Sequence, residues 1–331
     1  MFAAVRSAME RAEWEKYVPT DAPVALKPNL CWDLPLPGAQ TSPWVFDAVI
    51  SILKERTRDI VVVESDQVTV NVLKALQRTG LGAVVEKHGL RFINMTRDVT
   101  YVRKAIPDPF VLPEIEVPDV LTDRLLITIP VLKTHGTTRI TGALKNQWGC
   151  LRELRHNYHL VVDDAIADLN DALRPVFAVM DGTVGMEGSG PKTGLPKVAD
   201  LILASSDLVA LDTIASLVMG MDPSTVGHIQ RSADRGLGVS DLERIDVVGA
   251  KIEECIMNFK PPKQNFMVRF EFFLRRSRFR RLAFETSVLN LLAFAARVWN
   301  HAWWQLVGRR ERKRIIEDTF YGKQWKGTWK A

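Results

Sequence analysis

The sequence predicts an α/β fold in which a mostly parallel sheet is covered by helices on both faces. Short runs of Val, Ile and Leu alternate with segments of helical periodicity, as expected for strands that are buried on both sides. The chain has 331 residues, 47% hydrophobic and 25% charged, which is typical of a globular protein. After Pro261-Pro262 the composition shifts to aromatic and basic residues. We therefore expect an α/β catalytic domain over 1–258 and a basic, aromatic-rich helical extension over 259–331.

Each predicted element follows from a local pattern. The first 18 residues carry charges every few positions and lack the apolar run of a signal peptide, which predicts an amphipathic helix. Thr41 and Ser42 followed by Pro43 supply a hydroxyl cap and a proline in the first turn of a helix. Further helices are expected at 41–56, 68–78, 206–219 and 225–235. Strands are expected at 22–27, 59–64, 90–95, 124–130, 176–180, 200–204 and 244–248.

The positive charge of the chain is concentrated in the extension. Residues 260–331 contain 17 Lys and Arg against 5 Asp and Glu, whereas residues 1–259 contain 27 and 34. Arg clusters at 275–281 and 309–314 flank an apolar, Trp-containing segment, a pattern typical of a helix in a lipid interface. The pattern therefore predicts that 266–331 meets an anionic membrane surface. An equal alternative is a helical extension that packs on the body or on a second subunit, and a nucleic-acid partner is not expected.

Cysteine usage favours a reducing compartment. The three cysteines, Cys31, Cys150 and Cys255, are far apart and form no CxxC pair, so an iron–sulfur cluster or zinc ribbon built within the chain is not expected. No run of about 18 uncharged apolar residues is present, so no transmembrane helix is expected. We expect a cytoplasmic protein that associates with a membrane through its extension.

Candidate site residues follow the predicted strands, where ligands bind in open α/β sheets. Lys27-Pro28-Asn29 ends the first strand, and the richest block, Pro130–His159, follows the fourth. This block combines Lys, Arg and His with glycines that allow a ligand to approach the backbone, which points to an anionic cleft rather than a solvated basic surface. The candidate catalytic residues are Lys133, His135, Lys145 and His156. The candidate anion-binding residues are Lys27, Asn29, Thr134, Asn146, Arg152, Arg155, Gly182, Gly185, Gly188 and Gly190.

The last four glycines belong to a segment, 181–191, that is expected to be a loop after the strand at 176–180. Its backbone N–H groups could cradle phosphate, although it matches neither a P-loop nor GxGxxG. Asp181, Glu187 and Asp212 are candidates for acid–base catalysis or cation binding. His156 and His159 could share a helix face and bind a metal, but no metal signature accompanies them.

In order along the chain, these segments resemble the DUF362 family (domain of unknown function 362). The matching segments are KPNL at 27–30, PVLKTH at 130–135, TGALKNQWG at 141–149, RxxxH at 152–156, DGTVGMEGSGP at 181–191, SSDLVALD at 205–212 and GLG at 236–238. Many members carry a ferredoxin-like CxxC domain, which this sequence does not contain. The resemblance implies the fold and the site, but no particular reaction.

The middle block is also similar in pattern to the lactate racemase family, whose cofactor is a nickel-pincer nucleotide attached to a lysine. That similarity implies that Lys145 is the cofactor-side lysine and that His135 and His156 transfer protons or face the metal. The cofactor itself is left open: a metal or a tethered nucleotide would both suit the block.

Three functions remain open. The first is a cytosolic enzyme for a small anionic or phosphorylated substrate, of an isomerase- or racemase-like class. The second is a non-catalytic module that binds or delivers a metal or cofactor at a membrane surface. The third is an oxidoreductase with an external electron donor, in which Cys31 and Cys150 would act together. An oligomer is compatible with each.

Overall fold

The computed structural model describes residues 1–152, 155–264, 266–278, 280–284, 286 and 288–326. The strands are β1 Val24–Pro28, β2 Ile60–Glu64, β3 Arg91–Asn94, β4 Tyr101–Ala105, β5 Glu114–Pro118, β6 Leu125–Ile129, β7 Val131–His135, β8 Arg139–Ile140, β9 Phe177–Glu187 and β10 Leu195–Ser205. The helices are α1 Phe2–Arg11, α2 Pro43–Leu53, α3 Val72–Arg78, α4 Leu81–Lys87, α5 Gly142–Asn146, α6 Val162–Leu173, α7 Leu208–Val218, α8 Gly227–Asp234, α9 Ile252–Cys255, α10 Phe266–Arg276, α11 Arg280–Phe284, α12 Val288–Trp303, α13 Arg309–Asp318 and α14 Lys323–Lys326.

The main sheet has eight strands in the order β3-β2-β1-β6-β9-β7-β8, with β10 paired to β9. Strands β1, β2, β3, β6, β7 and β9 run parallel to their neighbours, while β8 and β10 are antiparallel additions. This arrangement confirms the predicted α/β class. The chain moves outward from β1 in one direction and from β6 in the other, so a crevice is expected at the carboxyl ends of these two central strands.

Each face of the sheet has its own hydrophobic core. Successive side chains of a strand point to opposite faces, so Ala25 of β1 packs in one core while Val24 and Leu26 pack in the other. Helices α5 to α8 cover the first face, and α1 to α4 cover the second. The sheet is therefore buried on both sides, which explains its continuous apolar runs.

Two local predictions are wrong. The expected loop at 181–191 is mostly strand, because β9 continues to Glu187 and pairs with both β7 and β10. Residues 244–248 form no strand; they follow a 3-10 turn at Leu242–Arg244, and Val248 is 59% exposed. Valine-rich sequence forms a strand only where a neighbour offers backbone partners, and the described residues place none beside this segment.

The extension packs on the α/β body. A π-helical turn at Trp304–Gly308 lies between α12 and α13, and Trp304 is buried, with its ring 5.9 Å from that of Trp32. Further along, Ile315 and Tyr321 share a small core with Val184 of β9. None of the described helices combines the length and the apolar character needed to cross a bilayer.

Candidate functional site

A cavity of about 600 Å³ lies at the carboxyl ends of β1, β2 and β7, on the expected side of the sheet. Helices α10 to α12 of the extension form its opposite wall. Its volume is in the range of small-molecule sites. From the sequence-predicted set, the structure brings together around it Lys27, Asn29, Lys133, His135, Lys145, Asn146, Arg152, Arg155 and Gly190.

Lys27 is neutralised within the protein. It is 1% exposed, and its Nζ donates to Glu64 Oε2 at 2.6 Å. The other oxygen of Glu64 accepts the backbone N–H of Ser65. A buried ion pair of this kind positions both groups but leaves little net charge for a ligand. Lys27 therefore lines the cavity as half of an ion pair, not as the open anion site that the sequence predicted.

Lys133 is held by uncharged acceptors. Its fully buried ammonium donates to Asn29 Oδ1 at 2.7 Å, to the carbonyl of Ala39 at 2.7 Å and to Cys31 Sγ at 3.3 Å. These bonds use the three donors of a lysine. Burial disfavours the charged form and lowers the pKa of Lys133, and no described carboxylate forms an ion pair with it. Lys133 thus supplies positive charge to the cavity from a fixed position and is not free to move a proton.

Lys145 is a lysine of a different kind. It lies near the end of α5 and lines the cavity, and its Nζ makes no hydrogen bond or ion pair with any residue that the structure describes. Burial, together with the charge of Lys133, lowers its pKa from 10.5 to about 8. An amine with a pKa close to neutrality can serve as an acid, a base or a nucleophile.

His135 presents an N–H group to the cavity. Its Nδ1 accepts the backbone N–H of Thr137 at 3.1 Å, with Thr138 N–H at 3.4 Å, so the remaining proton is assigned to Nε2. Burial, and next the positive charge of Lys145, holds the pKa of His135 well below 6.5. The imidazole is therefore neutral at pH 7 and acts as a hydrogen-bond donor toward a ligand, a role known for neutral histidines at oxyanions.

Two further cations that line the cavity form no ion pair with a carboxylate of the described residues. Arg155 donates to the backbone carbonyl of Asp66 at 2.6 Å, and Lys192 donates to Thr69 Oγ1 at 2.8 Å. Burial lowers the pKa of both. With Lys133 and Lys145, four cations face the same cavity, Lys133 fully buried and the other three half-buried, and none forms an ion pair with a described carboxylate. Such an excess is costly without a counter-ion, so the arrangement fits an anionic ligand.

Asp212 positions the helix that carries Lys145. Its two carboxylate oxygens accept the backbone N–H groups of Ala143 at 2.6 Å and Leu144 at 3.0 Å, which are the free donors at the start of α5. Gly142 has φ +63°, and a Cβ there would lie 2.3 Å from Asp212. Burial raises the pKa of Asp212 to about 7. Asp212 does not line the cavity, so its contacts indicate support of α5 rather than acid–base catalysis.

The amides of Asn29 and Asn146 connect the two central strands to α5. Asn29 Nδ2 donates to Asn146 Oδ1 at 2.8 Å, and Asn146 Nδ2 donates to Thr128 Oγ1 at 2.7 Å. Because Asn29 also accepts from Lys133, this network fixes the orientation of the cavity floor. Both amides therefore line the site but already use much of their hydrogen-bonding capacity within the protein.

The other acidic and glycine candidates serve the sheet. Asp181 accepts from Ser42 N–H and from Thr183, and Glu187 binds Lys197 and Lys260. Neither carboxylate lines the cavity, because β9 continues where a loop was expected.

Two other glycines of the segment at 181–191, Gly182 and Gly185, pack between strands. A Cβ at Gly182 would lie 2.8 Å from the Leu201 carbonyl. At Gly185 it would lie 2.5 Å from the Leu132 carbonyl. Gly188 lies outside the cavity lining, and Thr134 donates to its carbonyl at 3.0 Å.

The basic residues after α5 occupy different environments. Arg152 lies at the rim, where it binds Glu116 at 2.7 Å and covers the ring of Tyr101. His159 Nδ1 lies 2.8 Å from Glu271 Oε1 of α10, a contact that joins the body to the extension. The side chain of His156 lies outside the described part of the structure, so its predicted role stays a prediction.

No metal centre or disulfide is found among the residues that the structure describes. No group of three or more His, Cys, Asp or Glu side chains is arranged to hold an ion there. Cys31, Cys150 and Cys255 are free thiols. Burial raises the pKa of Cys150 to about 12, so this thiol is protonated and a poor nucleophile at neutral pH.

Sequence reasoning missed Glu64 and Lys192. Glu64 is the last residue of β2, and a charged residue that ends a buried strand at the ligand-binding edge was a usable signal. Lys192 directly follows Gly190-Pro191, one residue beyond the glycine-rich candidate segment at 181–191. The apolar wall from α10 and α12 was also missed, because the extension was assigned to a separate region.

The sequence profile of a family described as a domain of unknown function, DUF362, matches residues 24–216, more than half of the chain. The chain belongs to this family, which confirms the resemblance seen in its motifs. The match runs from β1 into α7 and so includes all four unpaired cations. A thylakoid-associated protein from Synechocystis sp. is 26% identical over 147 residues, which are 42% of this chain and 46% of that protein. The aligned part thus covers less than half of that curated relative.

Proposed function

We propose that this DUF362 protein is an enzyme that binds a small anionic substrate in the cavity and transfers a proton through Lys145. The observation that carries the proposal is the unpartnered amine of Lys145, with its pKa of about 8, in a cavity with three other unpaired cations. A general acid or base is most effective when its pKa lies near the working pH. The other lysines at the site are held by protein acceptors, so Lys145 is the one suited to react.

The remaining residues have supporting roles in this proposal. Lys133, Lys192 and Arg155 neutralise a phosphate or carboxylate group of the substrate. The Nε2–H of His135 donates to a substrate oxygen that gains negative charge as the proton leaves carbon, a contribution that is large in a water-poor site. Asp212 keeps α5, and therefore Lys145, in place.

Binding of a minimal anion tests the site. Isothermal titration of ethyl phosphate should give a dissociation constant at least about tenfold tighter for the wild type than for Lys145→Ala, as expected for loss of a charged hydrogen bond. The matched control is Lys251→Ala, because Lys251 is exposed on the body, lies outside the cavity lining and pairs with Glu254. Wild-type affinity should fall above pH 8, where the free amine loses its charge. Equal affinity of wild type and Lys145→Ala would contradict the proposal.

Proton transfer is tested separately in D2O. Panels of 2-oxo acids, 2-hydroxy acids and sugar phosphates are incubated with the protein and analysed for deuterium at carbon by mass spectrometry. We expect one class to exchange with the wild type and not with Lys145→Ala. Binding of ethyl phosphate without exchange in any class would favour the non-catalytic module instead.

A second proposal concerns the location of the protein: we propose that the extension binds an anionic membrane surface. The outward face of α12 carries Leu291, Phe294 and Val298, whose exposed fractions are 66%, 59% and 52%. These side chains do not line the cavity. A helix that is apolar on two faces needs a second apolar environment. The net positive charge of 260–331 suits anionic lipid, and the name of the Synechocystis relative, thylakoid-associated, agrees with this location.

Vesicle flotation tests the membrane proposal. The protein should float with vesicles of phosphatidylcholine and phosphatidylglycerol, and less with phosphatidylcholine alone, and added salt should weaken the binding. Phe294→Ser should reduce flotation without changing ethyl phosphate binding. No flotation, together with a dimer in sedimentation that Phe294→Ser dissociates, would instead assign this face to a second copy of the chain.

A further inference from the structure

The cavity has two walls of different chemistry. The wall at the sheet edge carries the cations Lys133, Lys145, Arg155 and Lys192. The opposite wall comes from the extension and is largely apolar. Its main side chains are Leu274 of α10, Phe284 of α11, and Leu289, Leu292, Ala296 and Trp299 of α12.

The apolar wall follows the periodicity of α12. Leu289, Leu292 and Ala296 recur at three- and four-residue spacing, so they form one face of the helix. Leu291 belongs to the outer face and is 66% exposed. The inner face is therefore turned toward the cavity, although no described protein side chain fills the space between it and the cationic wall.

The body and the extension are joined at the boundary between the two walls. His159, which follows the cationic segment, contacts Glu271 of α10, and Arg275 donates to the same carboxylate at 2.8 Å. Arg275 also lies 3.9 Å over the ring of Phe284. These contacts fix the apolar wall relative to the cations, so the cavity is a built site with a polar side and an apolar side.

We infer that the ligand of this cavity is an amphipathic anion: a phosphate or carboxylate head that lies among the four cations, and a hydrocarbon chain that lies along α10 and α12. A purely ionic ligand would leave the apolar wall in contact with water, whereas a chain of methylenes would bury it. The inference rests on the proposed function, because the head occupies the anion site next to Lys145. The inference adds that the extension selects the substrate by the length of its hydrocarbon chain.

A homologous series of alkyl phosphates tests the inference. Ethyl, butyl, hexyl and octyl phosphate are titrated into the full chain below their micelle concentrations. Each buried methylene should tighten binding about threefold to fourfold, the equivalent of about 0.8 kcal/mol. Leu292→Gln should remove much of this dependence and leave ethyl phosphate unaffected. The matched control is Leu291→Gln, which places the same change on the outer face.

The possible results separate the two proposals. If ethyl and octyl phosphate bind the wild type equally, and both require Lys145, the anion site stands and the amphipathic ligand is wrong. If no alkyl phosphate binds, or octanol binds as well as octyl phosphate, the anion site also fails. If Leu291→Gln and Leu292→Gln lose the chain dependence equally, the chain does not lie on the inner face. Ala296→Leu, which keeps α12 helical and fills the wall, should make the dependence level off at a shorter chain.

Discussion

The pKa of Lys145 gives the sharpest quantitative prediction. An ordinary lysine with a pKa of about 10.4 has roughly one neutral amine in 2,500 at pH 7. With a pKa of about 8, Lys145 has about one in ten, a fraction roughly 200-fold larger by the same relation. The cause is burial beside Lys133, so the effect should disappear when the chain unfolds.

Trace acetylation measures this fraction. The protein is treated with a small amount of acetic anhydride at pH 6 to 11, and peptide mass spectrometry follows the modification of Lys145. Reactivity should be half-maximal near pH 8 in the folded chain, with the same lysine in urea as the matched control. A midpoint at pH 10 or above in the folded chain would refute the reasoning, because it would mean that water solvates the amine.

A bound anion should reverse the shift. At an effective dielectric constant of about 20, a unit charge at about 4 Å contributes about 4 kcal/mol, and one pKa unit corresponds to about 1.4 kcal/mol. Ethyl phosphate seated directly against the amine should therefore raise the acetylation midpoint of Lys145 from near 8 by up to about three pH units. A substrate whose anionic head lies by Lys192 and Arg155, farther from the amine, should raise it less, which leaves Lys145 able to accept a proton. If the midpoint stays at 8 while the phosphate is bound, the phosphate occupies another site.

Three further predictions concern groups around Lys145. Glu64→Gln leaves the Lys27 ammonium buried without a counter-charge and should lower the free energy of unfolding in urea by about 3–5 kcal/mol; the double variant Lys27→Met/Glu64→Leu should regain most of it, and a loss below about 1 kcal/mol would show the pair to be solvated. Asp212 has a folded-state pKa raised from 3.8 to about 7, so the folded chain holds the proton more tightly and stability falls as pH rises from about 4 to 7; Asp212→Asn should lack this part of the pH dependence, and identical curves would contradict the shift. The imidazole of His135 should remain neutral, with its proton on Nε2, in ¹⁵N NMR spectra at pH 6.5, whereas a half-protonated ring at that pH would show that it is solvated.

The strands around the switch point could be predicted from sequence because they are buried on both faces. Val61, Val62 and Val63 alternate between two cores, so the first four positions of β2 are apolar and the run is unmistakable. The separate two-stranded sheet of β4 and β5 lacks this signal, since four of the five β4 residues are exposed. The prediction for β9 ends too early, at residue 180, because Gly182 and Gly185 indicate a loop when only the local sequence is considered. In the folded chain these positions require glycine because the backbone carbonyls of Leu201 and Leu132 approach them closely.

The site could be located from sequence, but the roles of its lysines could not be distinguished. Lys133 and Lys145 both follow the same strong strand in a basic, glycine-containing block. The two lysines differ in their hydrogen-bond partners, which come from other parts of the chain. The Ala39 carbonyl and the Asn29 amide, in the segment after β1, accept hydrogen bonds from Lys133. No described residue forms a hydrogen bond or ion pair with Lys145. Hydrogen-bond partners that are about 100 residues away in sequence leave no local pattern. The sequence alone therefore does not distinguish a lysine that is hydrogen-bonded within the protein from one that is not.

The charge distribution of the chain gives the extension a role in binding as well as in shape. Residues 1–259 carry more acidic than basic groups, yet the part of the cavity wall that they form holds four cations without an ion pair to a described carboxylate. The extension carries net positive charge. Its helices also form the apolar wall of the cavity. Positive potential there raises the local concentration of anions and the association rate. Added salt should therefore slow association of octyl phosphate more than its dissociation, because the long-range attraction is screened and the buried contacts at Lys145 are not.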